Sequence, residues 1–256
     1  MNELRLALRQ AVFTNRAFWR NPANGFFTFL LPLVFLVVFT ALFGNDQTKL
    51  GDATITGASF YVPAMATFGV VSACFTNIAM SMAFQRDAGI LKRIAGTPLP
   101  GWAYVLGRAL QALGVALAIV VICLLFGALL YDVPWPSVGE TLRLVLALLV
   151  GAASFTALAL AVATVVPNTD AAPAIVNATI LPVLFLSDVF INTTEAPEWV
   201  QWVGKVFPVK HLAEAFQSTL LPGVVPWNWT NLLIVAAWGA AGLLLAMRRF
   251  SWAPSR

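Results

Sequence analysis

Gln85–Trp102 reads QRDAGILKRIAGTPLPGW, the longest charged interruption between hydrophobic runs on one side of the membrane inferred below. Arg86, Asp87, Lys92 and Arg93 stand together where charged residues make up only 10% of the sequence. Ile90, Leu91 and Ile94 recur at i, i+1 and i+4, which places three apolar side chains on one side of a short helix. Thr97-Pro98 and Pro100-Gly101 stop that helix before the next apolar run. The pattern is a short amphipathic helix held between two long apolar segments, the form of a docking element.

The rest of the chain says what kind of molecule carries it. Of 256 residues, 60% are hydrophobic and the mean hydropathy is +0.84. A soluble domain carries about 25% charged residues, more than twice the share found here. The chain therefore reads as an all-α polytopic membrane protein, one transmembrane domain over residues 1–256. The net charge of +4 is no nucleic-acid signal, because the cations sort by loop. Cys74 and Cys123 lie inside apolar runs and read as small apolar side chains, without disulfide or metal. With a single histidine, a haem, a zinc site or a His-based triad has little to build on.

Residues 1–22 come first. At 100° per residue Arg5, Arg9, Arg16 and Arg20 fall within about 60° of one another. Leu4, Leu8, Val12, Phe18 and Trp19 form an adjoining stripe that Leu6 and Phe13 interrupt. A basic stripe beside an apolar one describes a helix in the headgroup region of anionic lipid, ended by Asn21-Pro22. Six apolar segments follow, near residues 25–43, 59–84, 103–130, 142–166, 171–189 and 231–247. Each can cross a core about 30 Å thick, the last only just. The first is too long for a signal h-region and follows an arginine-rich helix, so it reads as a retained span.

Eleven of the fifteen Lys and Arg residues fall in the N-terminal segment, the loop near residue 90 with Arg108, and the C-terminal tail (Arg248, Arg249, Arg256). The alternate loops hold Lys49, Arg143, Lys205 and Lys210. The positive-inside rule then makes both termini and Gln85–Trp102 cytoplasmic. Gly44–Ala58 and Tyr131–Thr141 read as short outer loops, and Pro167–Asp170 as a tight inner turn. The outer segment 190–230 carries an amphipathic pattern (Trp199, Trp202, Val203, Val206, Phe207) and a second helical stretch, Val209–Leu220. These two short helices are expected to fold back into the outer leaflet.

The chemistry is mostly one of absences. A phosphate-binding loop needs glycines followed by Gly-Lys-Ser/Thr; the four lysines precede Leu, Arg, Val and His. The chain binds no nucleotide or metal of its own on this reading. Ser72 and Thr76 share a face of the second span, Asn77 and Ser81 another, and Asn177 and Thr179 lie in the fifth. Interhelical hydrogen bonding is the plainer account of them and a substrate path the sharper one. Arg108 and Arg143 sit near span ends, where snorkelling explains them. Asp188, at the outer end of the fifth span, reads either as a carboxylate reaching interfacial water or as an anionic group favouring cationic cargo at the exit. The first-span phenylalanines are lipid-facing or packed, or line a path for aromatic substrates. Asn192-Thr193-Thr194 and Asn228-Trp229-Thr230 match glycosylation sequons, which arise by chance.

Two passages resemble a known family, the membrane permeases of type-2 ABC exporters. FQRDAGILKRIAGTPLPGWAYVLGR, from Phe84, is similar to the family's loop after the second span, with Gln85-Arg86-Asp87 where Glu-Arg-Glu is usual. LPVLFLSDVFINTTEAPEWVQWVGKVFPVKHLAEAF, from Leu181, is similar to its fifth span and outer helices. Here Asp188 stands where glycine is common, Phe207 replaces Asn, and Lys210-His211 replace Thr-Tyr. The resemblance implies a six-span permease in the cell membrane, in a bacterium its inner membrane. It implies two such subunits, identical or related, around the path, and a separate ABC ATPase that carries ATP and Mg. It makes Gln85–Gly96 the coupling helix, with Arg86, Asp87, Ile90, Leu91, Lys92, Arg93 and Ile94 as its ATPase-coupling set, Ile90, Leu91 and Ile94 either facing the ATPase or packing back on the spans. Asn168 and Asp170 become a smaller inner contact, and export of a hydrophobic drug, antibiotic or lipid the expected activity. The rival readings are a stand-alone carrier or channel, an intramembrane enzyme, and a non-transporting sensor or assembly subunit. The carrier and the enzyme need intramembrane charges or paired catalytic groups that the spans do not show.

Overall fold

The structure, a computed structural model, describes residues 3–50, 53–193 and 196–249. Met1, Asn2, the Gly51-Asp52 pair, Thr194 of the first sequon, Glu195 and the tail from Phe250 to Arg256 lie outside the described residues. The long apolar runs become helices because a helix satisfies its own backbone polar groups, the condition for lying in hydrocarbon.

Helix α1 (Glu3–Arg20) packs against α6 (Gly101–Leu130). Gly107 permits the approach: a Cβ there would lie 2.7 Å from Gln10 Cγ and 3.0 Å from the Ala11 nitrogen. The face of α1 turned to the bundle carries Ala7 and Phe18, and Leu8, Val12, Phe13 and Trp19 stay exposed beside Arg5, Arg9, Arg16 and Arg20. Helix α2 (Pro22–Phe43) follows at once, with Pro32 inside it.

The second apolar run is one long rod in three pieces, α3 (Gly57–Val71), a π-helical turn (Ser72–Thr76) and α4 (Asn77–Asp87). In the π turn the Asn77 N–H reaches the Ser72 carbonyl, five residues back. Such turns are rare insertions in an α-helix and gather at functional sites. This rod is the centre of the molecule, with Val62, Met65, Val70, Cys74, Ile78 and Met82 all buried. The short α5 (Ile90–Ala95) and then α6 follow. Helix α7 (Val138–Ala163) opens on a capping box, Ser137 N–H donating to Glu140 Oε2 at 2.6 Å and Glu140 N–H to Ser137 Oγ at 3.4 Å.

Two expectations change at the outer loops. The segment expected as a plain loop after α2 forms a hairpin, β1 (Gln47–Leu50) paired antiparallel with β2 (Ala53–Thr56), Gln47 opposite Thr56 and Leu50 opposite Ala53. The fold is therefore helical with one small sheet. Thr48, Thr54, Ile55 and Thr56 are the β-branched residues that suit it. The fifth apolar run also ends early. Helix α8 (Ala172–Phe185) has 14 residues, about 21 Å of helix, and the chain then turns through Asp188 at φ 55°. Among the described residues five helices are long and apolar enough to cross a membrane, and α8 is a shorter apolar one.

The outer segment forms α9 (Glu198–Val206) and α10 (Pro208–Leu220). Trp199 and Trp202 are exposed on α9, but α10 is buried nearly along its whole length, inserted against α3, α7 and α11 (Trp229–Arg249). Asn228 starts α11, its Oδ1 accepting from Thr230 N–H at 2.9 Å. Helices α7 and α11 make the tightest pairing, through glycine. A Cβ on Gly239 would lie 2.7 Å from Ser154 Cα, whereas nothing lies within 4 Å of one on Gly114. Gly239→Ala should cost about 1–3 kcal/mol by forcing the helices apart, and Gly114→Ala should melt at or above the parent by removing a flexible residue from a helix. Melting of the two variants in detergent in the reverse order would refute a glycine-limited approach.

Candidate functional site

The α4–α5 loop and the α7–α8 turn are one structure. Arg86 is buried and donates to the carbonyls of Ala163, at 2.8 Å, and of Val166. The Ala163 carbonyl ends α7 and that of Val166 follows three residues on, where the helix presents unsatisfied acceptors and the negative end of its dipole. Asp87, one residue on, accepts the Thr169 N–H at 3.0 Å. Within the turn Asn168 Oδ1 accepts from Ala171 N–H at 2.9 Å, and Asn168 and Asp170 remain exposed. The sequence expectation gave Arg86 to a partner; the structure turns it inward to clamp α7.

After Asp87 the chain reverses at Gly89, whose φ of 68° favours glycine. Helix α5 then lies back on the bundle. Leu91 is buried in the main core, and Ile90 and Ile94 are half-buried. The apolar stripe of α5 thus faces its own bundle, and the exposed face belongs to Lys92 and Arg93. Thr97 closes the loop, its hydroxyl donating to the Ile94 carbonyl at 2.7 Å.

The residues expected along a substrate path are dispersed. Ser72 and Thr76 lie half-buried in the π turn. Asn77 Nδ2 donates to Thr28 Oγ1 of α2 at 3.1 Å, an interhelical bond of the plainer kind. Asn177 is half-buried on α8. Asp188 is neither at an open exit nor in interfacial water. It is buried and ion-paired to Lys210 Nζ at 2.9 Å, and it accepts from the Thr193 N–H at 2.7 Å and from the Thr193 hydroxyl. Lys210 also donates to Thr193 Oγ1 at 3.1 Å. Beside this pair His211 Nε2 meets the Lys205 carbonyl at 2.8 Å and Nδ1 meets Asn231 Oδ1 at 2.9 Å. Since a carbonyl only accepts, Nε2 carries a hydrogen.

Sequence reasoning missed Lys210, although the rule that a buried charge needs a partner pointed to the cation on the buried face of α10. It also missed the burial of Arg108, which does not snorkel: its residue exposure is 6%. Arg108 donates to Ser81 Oγ, and the buried Tyr104 hydroxyl donates to Gln85 Oε1 at 2.5 Å. Of the first-span phenylalanines, Phe26 and Phe27 are exposed, whereas Phe35 and Phe39 pack against Phe190, at ring distances of 5.4 and 6.3 Å. An apolar cavity of about 310 Å³ lies among α7, α8, α10 and α11, edged by Phe75, Phe155, Phe207 and Trp238. Among the described residues no group of three or more His, Cys, Asp and Glu is placed to hold a metal ion.

Long apolar helices around a buried central rod, with few charges buried among them, define a multi-pass membrane protein. The chain belongs to the ABC-2 type transporter family, whose match covers residues 9–221. A putative transport permease, ycf38, of Porphyra purpurea is 25% identical over 225 residues, 88% of this chain and 76% of its own length. A putative transport permease of Bacillus subtilis, YvfS, is 23% identical over 238 residues, 93% of this chain and 94% of its own. A probable multidrug ABC transporter permease of Escherichia coli, YbhR, is 23% identical over 195 residues, 74% of this chain and 52% of its own. The chain is a permease of this family, and that membership implies an ABC ATPase as partner.

Proposed function

We propose that this permease exports a hydrophobic compound, a drug, an antibiotic or a lipid, in a pair with a second copy or a relative, each subunit driven by a separate ATPase. One observation carries the coupling scheme. Arg86 and Asp87 bind the α4–α5 loop to the end of α7 and to the turn before α8. A force on the exposed face of α5 therefore reaches three membrane helices at once. On this reading Lys92 and Arg93 dock the ATPase, Asn168 and Asp170 make the smaller contact, and Leu91, Ile90 and Ile94 hold α5 to the bundle. The distribution of Lys and Arg supports a cytoplasmic position for this end and for both termini. Helix α8, with its buried Asp188–Lys210 pair, makes a sixth crossing completed on the outer side by α9 and α10. The apolar cavity beside α8 and the description of the Escherichia coli relative as a probable multidrug permease support a hydrophobic cargo.

The test is co-purification. Lys92→Glu with Arg93→Glu should weaken recovery of the ATPase in detergent about tenfold or more, as expected for reversing charges at a docking surface, without lowering the melting temperature of the permease. Full recovery of the ATPase by the double variant would remove α5 from the interface. Leu91→Glu is unsuited to this question, because it places a charge in the core.

A further inference from the structure

Three cations are buried among the described residues, and two are satisfied. Lys210 has Asp188, and Arg86 has the carbonyls of Ala163 and Val166 with the Asp87 carboxylate beside it. The third, Arg108, donates to the Ser81 hydroxyl, and its Nε is buried with no hydrogen-bond partner. A buried guanidinium without a counter-charge costs several kcal/mol, and a neutral hydroxyl does not remove its charge. Its surroundings show what would. Arg108 lines a cavity of about 430 Å³ beneath α1, walled by the polar side chains of Gln10, Asn77, Gln85 and Gln111. Among the described residues no carboxylate lines it. At its edge stand Phe13 of α1 and Phe84 of α4, both more than half exposed. Along the same α1 the exposed Arg5, Arg9, Arg16 and Arg20 draw anionic lipid to this end of the bundle.

We propose that this cavity binds the phosphate of an anionic phospholipid, with Arg108 as its counter-charge. The headgroup enters between α1, α4 and α6, and its phosphate accepts from the Arg108 guanidinium while the neutral amides take its remaining oxygens. Phe13 and Phe84 meet the acyl chains outside. Because no acid lines the cavity, the ammonium of a zwitterionic headgroup would find no counter-charge, so anionic lipid is favoured over phosphatidylcholine. The inference stands apart from transport, and binding can be read without an ATPase.

The experiment is native mass spectrometry of the full chain released from detergent containing dioleoyl phosphatidylglycerol, dioleoyl phosphatidylcholine or inorganic phosphate alone. The parent should retain phosphatidylglycerol about tenfold better than phosphatidylcholine, the worth of one charge-assisted hydrogen bond. Arg108→Gln should lose that preference, and Arg16→Gln should keep it. Ser81→Asp guards against a misfolded Arg108 variant: it hands the intact arginine an internal carboxylate, so the chain should fold and the preference should vanish. Equal retention of both lipids, or a preference that survives Arg108→Gln or Ser81→Asp, would overturn the proposal. So would its loss in Arg16→Gln, which would put the lipid on the outer face of α1. Protection by inorganic phosphate equal to that by phosphatidylglycerol would assign the site to a free anion and overturn the lipid.

Discussion

Asp188→Asn is expected to destabilise the protein by about 3–5 kcal/mol, the cost of leaving one member of a buried ion pair without the other. The substitution isolates charge. Asp188 sits at φ 55°, a conformation Asn tolerates nearly as well as Asp, and the amide oxygen can still accept from Thr193. What remains is Lys210, buried and facing no anion. Both residues depart from the family pattern given above, Asp188 from glycine and Lys210 from threonine. Glycine is the natural occupant of a left-handed position, and threonine carries no charge that needs a partner. The resemblance therefore implies one exchange, in which each charge requires the other. Asp188→Gly with Lys210→Thr should recover most of the loss, because replacing a buried pair by neutral residues is often near neutral. Melting of the two single variants and the double variant in detergent tests this, and strictly additive losses would show that the pair is not a unit. Transport of cationic and neutral compounds should fall together in Asp188→Asn, in step with the amount of folded protein. A selective loss of cations would instead return Asp188 to the exit.

What could be read in the sequence was what depends on long runs of side chains. A helix that must satisfy its backbone in hydrocarbon needs about twenty apolar residues, so the stretches that became α2, α3–α4, α6, α7 and α11 stand out by composition alone. What could not be read depends on which way a few side chains turn. Periodicity places Ile90, Leu91 and Ile94 on one face but says nothing of whether that face meets a partner or its own bundle; the reversal at Gly89 decides it. Arg86 and Arg108 both carry charge near a span end, where snorkelling is the general expectation. Arg86 is drawn inward by carbonyls eighty residues away in sequence, a long-range contact with no local trace. The same holds for Lys210, which looks like a surface cation until α10 is inserted between α3, α7 and α11. The shortness of α8 and the hairpin after α2 are set by local turns that hydropathy averages away.

The second large effect is expected at Arg86. Arg86→Met removes the donor to the Ala163 carbonyl of α7 and the Val166 carbonyl just past it while keeping an unbranched side chain in the core, and it leaves Lys92 and Arg93 on the surface. ATPase binding should therefore persist while transmission to α7 fails. The readout needs no substrate. A cysteine placed at Val165, an exposed position just past α7, can be labelled with a maleimide in the assembled complex, with nucleotide trapped by vanadate and without it. Cys74 and Cys123 are buried and stay silent. If the clamp carries the ATPase stroke, the parent labels at different rates in the two states, and Arg86→Met loses that difference by about 5–150-fold, the span of ordinary coupling energies of 1–3 kcal/mol. Arg86→Lys should lie between, since an ammonium cannot fork to two carbonyls as a guanidinium does. Asp87→Asn should do least, because its amide oxygen still accepts from Thr169. A merely structural Arg86 predicts a different pattern, a lower melting temperature with the nucleotide-dependent difference intact in whatever protein remains folded. That pattern would leave the α4–α5 loop as a docking site and move the transmission to α7 elsewhere.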